Sequence, residues 1–140
     1  MRWIPYAILC AAFLASADFF VKLASDKISS SLGMLIYGAT TFVVGLVWVG
    51  YLKATGYPFV FTTLGFWYAL AVGLAFSGVT MLLYLTFARV NVSIGSPVIR
   101  LTAIVLASLL GVLLLREPFT WRYALGVVLA IGGVALIILR

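Results

Sequence analysis

Three charged side chains lie within long apolar stretches of the sequence and offer the clearest potential for chemistry. They are Asp18, Lys22 and Arg100. A charge in an apolar environment is costly and is retained where it pairs with another group or binds a ligand. Asp18 and Lys22 are four residues apart with the acid first, which favours a salt bridge on one helix face. The alternative to a function for this pair is that Lys22 extends to the membrane boundary and Asp18 only pairs with it.

Arg100 lies deeper in its apolar stretch. It follows Ile94, the predicted start of its helix, by six residues, or about 9 Å at 1.5 Å per residue. Asp18 precedes Ala24, the predicted end of the first helix, by six residues as well. Both depths are measured from one membrane face, so the spacing allows an Asp18–Arg100 ion pair. The two cations, Lys22 and Arg100, exceed the one acid, Asp18, by about one positive charge. Such a surplus favours solutes that carry a carboxylate or a phosphate.

Hydroxyl side chains accompany these charges at helical spacing. One stripe consists of Gly73, Ser77, Thr80 and Tyr84, and a second consists of Ser93, Ser96, Arg100 and Ser108. Such stripes line a hydrated substrate path or, alternatively, serve close helix packing in a membrane. Because Arg100 is among them, we favour a cavity. The candidate substrate-binding residues are Arg100, Asp18, Lys22, Ser77, Thr80, Tyr84 and Ser96.

The composition identifies the environment of these residues as a membrane. Of 140 residues, 66% are hydrophobic and 9% are charged, with a mean hydropathy of +1.28. A soluble domain is about one quarter charged because its surface faces water. Nine Lys and Arg residues with three Asp and Glu residues cannot solvate a surface of this size. The sequence therefore predicts an integral membrane protein that contacts lipids.

The same counts argue against several kinds of site. The chain has no histidine, one cysteine (Cys10) and three acids. These are too few ligands for a zinc or iron–sulfur site, and a Ser–His–Asp triad would have no base. The cations are scattered singly, unlike a nucleic-acid-binding patch. We expect no metal, no cofactor, no nucleic acid and no enzyme activity.

Five segments are long and apolar enough to cross a membrane. The predicted helices cover about residues 3–24, 32–52, 64–88, 94–115 and 121–139 of a single domain, 1–140. Tryptophan and tyrosine cluster near the predicted ends, as in interfacial belts. The first segment imitates a cleaved signal peptide through Ala15-Ser16-Ala17, but its apolar run continues beyond that triplet. We therefore predict an all-α membrane fold that retains the first helix.

The cations do not favour either orientation in the membrane. Five spans place the termini on opposite faces. One face then carries Arg2, Lys53, Arg116 and Arg122, and the other carries Lys22, Lys27, Arg89 and Arg140. Because each membrane face carries four cations, the positive-inside rule favours neither orientation. Either one loop dominates, or the chain inserts both ways and forms an antiparallel homodimer.

The second half of the chain has a more specific pattern. Ser93-Ile94-Gly95-Ser96-Pro97 precedes an apolar helix, then Leu115-Arg116-Glu117-Pro118, and finally Gly126 and Gly132-Gly133. This order resembles the EamA-type repeat of the drug/metabolite transporter superfamily. Ala17-Asp18-Phe19-Phe20-Val21-Lys22 is similar to the end of that repeat's first helix. The resemblance covers all five predicted helices and implies a membrane transporter.

The resemblance also implies an assembly. Most such transporters contain two five-helix repeats of opposite orientation, and this chain resembles one repeat. An antiparallel homodimer would rebuild the pair of gates that inverted repeats provide. The small multidrug resistance proteins, which are more distantly similar, assemble in this way. Their essential first-helix glutamate would fall near Leu14, so a cationic-drug antiport mechanism is not expected.

Two further features are predicted to serve structure. Gly126, Ala130 and Gly133 on the fifth helix, and Gly38 and Gly45 on the second, are small residues typical of close helix contacts. The fifth helix is, by the same resemblance, a candidate dimer seam. Glu117-Pro118 ends one helix and opens the next, where proline suits the first turn and an acid suits the N-terminus.

These observations predict a multi-pass transporter of the cell (inner) membrane. It would move small anionic or zwitterionic metabolites by alternating access in a homodimer. Proton coupling through Asp18 remains open. The alternatives are a subunit that flips a lipid-linked substrate, whose phosphate the positive site would hold, and a membrane subunit that packs against a partner without transporting.

Overall fold

The computed structural model describes residues 3–118 and 120–139, and these residues form an all-helical protein. The five helices are α1 (Ile4–Ser25), α2 (Ser30–Ala54), α3 (Thr63–Phe87), α4 (Val92–Leu114) and α5 (Trp121–Ile138). Each is long and apolar enough to cross a membrane. The predicted all-α fold with five membrane-spanning helices is confirmed.

Two of the helices begin at a threonine cap. The Thr62 side chain accepts a hydrogen bond from the Gly65 N–H at 3.1 Å, and Thr120 does the same for Tyr123 at 3.4 Å. These bonds satisfy backbone donors that have no partner within a helix. The cap at Thr120 also fixes where α5 begins.

The connection between α4 and α5 differs from the sequence-based expectation. Pro118 lies before the Thr120 cap and therefore outside the first turn of α5. Arg116 adopts a left-handed φ of 53°, and the Gly111 carbonyl accepts from the Leu115 N–H at 3.1 Å and the Glu117 N–H at 3.2 Å. The expected role of Glu117 at the start of α5 is wrong, because its main chain closes the end of α4.

The chain divides into two compact units. Unit 1 comprises residues 1–18 and 90–140, and unit 2 comprises residues 19–89. Helix α1 contributes its first part to unit 1 and its end to unit 2. Within unit 1, α4 packs against α5, and within unit 2, α2 packs against α3.

Glycines mark where helices approach closely within each unit. In unit 2, a Cβ atom at Gly33 would lie 2.7 Å from Cε1 of the Tyr84 ring, so a larger residue there would require the ring to move. In unit 1, a Cβ atom at Gly133 would lie 3.8 Å from Cδ1 of Leu101. The other glycines predicted to form close contacts have no described residue within 4 Å of such an atom; they are Gly38, Gly45 and Gly126. For those three, the prediction is wrong within one chain.

Candidate functional site: a buried carboxylate with a partly free arginine

The carboxylate of Asp18 is the polar centre of unit 1. The residue is 1% exposed although it lies in an apolar helix. Its Oδ1 atom lies 2.7 Å from Nη2 of Arg100, on α4. The ion pair that the matched depths allowed is therefore formed, and it joins α1 to α4.

Ser96 completes the surroundings of the acid. Its hydroxyl donates a hydrogen bond to Oδ2 of Asp18 at 2.5 Å. Ser96 and Arg100 are four residues apart on α4, so both side chains project from one face of the helix. Each carboxylate oxygen thus has its own donor, which offsets the cost of burying the charge.

Arg100 is less fully engaged than its partner. Its side chain is 33% exposed, and one nitrogen, Nη2, bonds Asp18. A guanidinium carries five N–H donors in a planar fork. Within the described residues, no other hydrogen bond or ion pair of Arg100 is formed. The rest of the fork is free to bind an oxyanion or water.

Pro97 interrupts the backbone hydrogen bonding of α4 beside these residues. It lies inside the helix, between Ser96 and Arg100. Since proline has no N–H, the carbonyl of Ser93 loses the bond it would accept from residue 97. Two neighbouring turns of α4 therefore contain the Arg100 guanidinium, which has unused donors, and the Ser93 carbonyl, which lacks its usual helical donor.

Lys22 does not form the expected pair with Asp18. Its Nζ atom donates a hydrogen bond to the Phe87 carbonyl oxygen at 2.6 Å, and it lies 3.8 Å from Oδ2 of Asp26. Phe87 is fully buried and ends α3, where carbonyls have no partner within the helix. Lys22 therefore satisfies the C-terminal end of α3 and joins α1 to it within unit 2.

The remaining candidates lie on α3 and bond mainly within that helix. Ser77 donates to the Gly73 carbonyl at 2.9 Å, and Thr80, which is buried, donates to Phe76 at 2.8 Å. The Tyr84 ring lies against Gly33. Ser77 alone of the three borders a groove of about 240 Å³ between α2 and α3, lined by Met34, Tyr37, Gly38, Thr41, Gly73, Phe76 and Ser77.

The structure therefore sorts the seven candidates by surroundings. It brings Asp18, Ser96 and Arg100 into direct contact in unit 1. In unit 2, Thr80 is buried and the Tyr84 ring lies against Gly33, apart from that cluster of contacts. Among the described residues, no group of three acidic, histidine or cysteine side chains could hold a metal ion.

Sequence reasoning missed the partners of Lys22. Asp26 follows Lys22 by four residues, so that weak pair could have been recognised from spacing. The Phe87 carbonyl is a backbone group 65 positions away, and no side-chain pattern marks it. Gly33 was missed as well, because its neighbour Tyr84 is known only from the packing of α2 on α3.

The family of the chain follows from its comparison with known proteins. The model of the EamA-like transporter family matches residues 1–139. No curated protein and no solved structure matches the chain. The family match covers nearly every residue and agrees with five membrane-spanning helices. The chain belongs to the EamA-like transporter family and is a multi-pass membrane transporter of small molecules.

Proposed function

We propose that this protein transports small anionic or zwitterionic solutes and binds their carboxylate or phosphate through Arg100. One observation carries the proposal: Arg100 uses one nitrogen on a buried acid, while its side chain stays one third exposed. In an apolar environment, N–H donors without acceptors are costly. A solute oxyanion would satisfy them, and the planar fork of arginine matches such an oxyanion in two places.

Asp18 and Ser96 have a supporting role in this proposal. Both oxygens of Asp18 already accept hydrogen bonds, so the acid offers little to a solute. Its contact instead holds Arg100 in one orientation before a solute arrives, which lowers the entropic cost of binding. The surplus positive charge expected from Lys22 is not found at this site, because Lys22 bonds the Phe87 carbonyl in unit 2. The preference for anions and zwitterions therefore rests on the free N–H donors of Arg100, for which an oxyanion supplies acceptors.

The transporting unit in this proposal is a homodimer of oppositely oriented copies. The balanced cation count supports insertion in both orientations. Inverted repeats give alternating access to a site near the middle of the membrane. Two copies that meet in opposite orientations would supply such a pair.

A second candidate function is the flipping of a lipid-linked substrate. The groove between α2 and α3 favours it, because its lining is mostly apolar and Gly38 and Gly73 leave open space there. An acyl or polyprenyl chain would fit such a lining. A non-transporting partner subunit is the third alternative.

A panel of matched solutes tests the anion preference. Purified protein in detergent would be heated with succinate, glycerol 3-phosphate, glutamate or tetraphenylphosphonium. We expect the first three to raise the melting temperature, since a ligand that binds the folded state stabilises it. Tetraphenylphosphonium should have no effect. Stabilisation by the cation alone would contradict the proposal.

Two arginine variants separate a specific site from general charge. Arg100→Ala should abolish the stabilisation by anions. Arg122→Ala removes an equal charge from an exposed position at the start of α5 and should leave it intact. Uptake of the stabilising solute into sealed proteoliposomes then distinguishes a transporter from a non-transporting subunit. Competition by a short-chain polyprenyl phosphate, but not by soluble anions, would favour the lipid-linked alternative.

A further inference from the structure

One end of unit 2 concentrates exposed positive charge. The bond from Lys22 to the Phe87 carbonyl brings the end of α1 to the end of α3. The turns that follow these helices therefore lie at the same end of the unit. Lys27 lies in the first turn and Arg89 in the second, and both side chains are exposed.

Both cations are held by short backbone turns. The Lys27 N–H donates to the Ala24 carbonyl at 2.9 Å, and the Arg89 N–H donates to the Thr86 carbonyl at 2.9 Å. Their side chains have no hydrogen bond or ion pair with any residue that the structure describes. The nearby acid, Asp26, lies 3.8 Å from Lys22 instead. Lys27 and Arg89 are thus the uncompensated charges of this end.

The opposite end of unit 2 has a different character. There the connection between α2 and α3 exposes Tyr57, Phe59, Val60 and Phe61, and Lys53 is the cation in the last turn of α2. Exposed aromatic residues are typical of membrane interfaces irrespective of lipid charge. We therefore expect the end with Lys27 and Arg89 to prefer anionic lipids, and the aromatic end to show less preference for lipid charge. The aromatic end serves as an internal control for lipid binding.

We propose that Lys27 and Arg89 together bind the phosphate of an anionic phospholipid headgroup at this end of unit 2. Both residues lie just beyond the ends of membrane-spanning helices, which is the depth of lipid headgroups. Basic groups at this depth attract anionic lipids, and each contributes about a fivefold increase in affinity. A lipid is favoured over a free anion because it is present in the membrane at high local concentration.

Native mass spectrometry of the full chain tests this site. The probes are phosphatidylglycerol and phosphatidylcholine with identical acyl chains. We expect the intact protein to prefer phosphatidylglycerol. The variant Lys27→Gln/Arg89→Gln should lose about 25-fold of that preference, from two fivefold contributions. The charge-retaining variant Lys27→Arg/Arg89→Lys should keep most of it.

A matched variant supplies the control. Lys53→Gln/Arg122→Gln removes two exposed cations that belong to different units, and it should lose less of the preference than Lys27→Gln/Arg89→Gln. Equal losses in the two glutamine variants would overturn the proposal, as would an unchanged preference in Lys27→Gln/Arg89→Gln. Displacement of phosphatidylglycerol by millimolar inorganic phosphate would overturn the assignment to a lipid. Circular dichroism confirms that each variant is folded before its lipid binding is compared.

Discussion

Helix α1 supplies a charged side chain to each unit, and the two charges are used differently. In unit 1, Asp18 is buried and both of its oxygens accept hydrogen bonds, while its partner Arg100 keeps most of its donors free. In unit 2, Lys22 donates to a backbone carbonyl at the end of α3. The two cations therefore differ in what surrounds them: Lys22 is held between the Phe87 carbonyl and Asp26, whereas Arg100 keeps a planar edge of donors beyond its one protein contact.

The chemistry of the two cations explains the difference. An ammonium is compact, and its bond to a single carbonyl suits the end of a helix. A guanidinium is a fork that can hold one acid with one nitrogen and present another edge. The Lys22 contact thus favours a packing role, and the Arg100 contact favours ligand binding. Substitutions at these residues and their neighbours test this contrast.

The largest effect is expected when one partner of the buried pair is removed. Arg100→Gln leaves the charge of Asp18 buried with Ser96 as its remaining partner. Loss of one member of a buried ion pair lowers the free energy of unfolding by about 3–5 kcal/mol. Reversible unfolding in mixed micelles, with helicity followed by circular dichroism, would measure this loss.

The double variant Asp18→Asn/Arg100→Gln separates stability from binding. It removes both charges together, so most of the lost stability should return. If Arg100 binds the solute, the stable double variant should still fail to bind or transport. Restored transport would instead show that Arg100 only balances Asp18.

A smaller effect is expected from the hydroxyl beside the acid. Ser96→Ala removes a hydrogen bond to a carboxylate, which is worth about 1.5–3 kcal/mol of unfolding free energy. Ser93→Ala is the matched control, because Ser93 is exposed one turn earlier on α4. Similar losses in the two variants would remove Ser96 from the pair. Solute affinity should fall in Ser96→Ala as well, since Arg100 loses part of its orientation.

Much of unit 1 could be predicted from residue spacing. Asp18 and Arg100 are side chains at equal predicted depth, so the spacing allowed their ion pair. Ser96 lies one helical turn before Arg100, so periodicity placed both on one face of α4, and the structure adds the bond from Ser96 to Asp18. The five helices were equally clear, because a segment of about 20 mostly apolar residues indicates a membrane-spanning helix. These are local properties of the sequence.

Unit 2 was harder to predict because its key contacts involve groups without a sequence signature. Every residue has a backbone carbonyl, so nothing in the sequence marks the one of Phe87. It needs a donor from elsewhere only because α3 ends at Phe87. Likewise, Gly33 resembles Gly38 in the sequence, and only the position of Tyr84 distinguishes them. Matched depths in the membrane allowed the ion pair to be anticipated, whereas the contact between α2 and α3 at Gly33 and Tyr84 is known only from the structure.

Two of the glycines of α2, Gly33 and Gly38, offer a test of packing in unit 2. Gly33→Ala would place a methyl group 2.7 Å from Cε1 of Tyr84, so the ring must move. Such overpacking lowers the free energy of unfolding by about 1–3 kcal/mol. Gly38→Ala is the control, since none of the residues that the structure describes lies within 4 Å of its added Cβ atom. That variant should be neutral or gain up to about 1 kcal/mol from helix propensity. Equal stability of the two variants would contradict the packing of Tyr84 against α2.

The smallest effect is expected for Lys22, and it is the strictest test of the contrast between the two charges. Lys22→Met keeps a long apolar side chain but leaves the buried Phe87 carbonyl without its donor. Hydrogen bonds inside membrane proteins are worth on average about 0.6 kcal/mol and at most about 1.7 kcal/mol. Because Lys22 is 27% exposed, water can replace part of the lost bond, and the loss should stay within that range. Solute affinity should not change, and Lys22→Arg should recover the stability by supplying another donor. A loss of solute binding in Lys22→Met at unchanged stability would move Lys22 into the binding site and remove the contrast with Arg100.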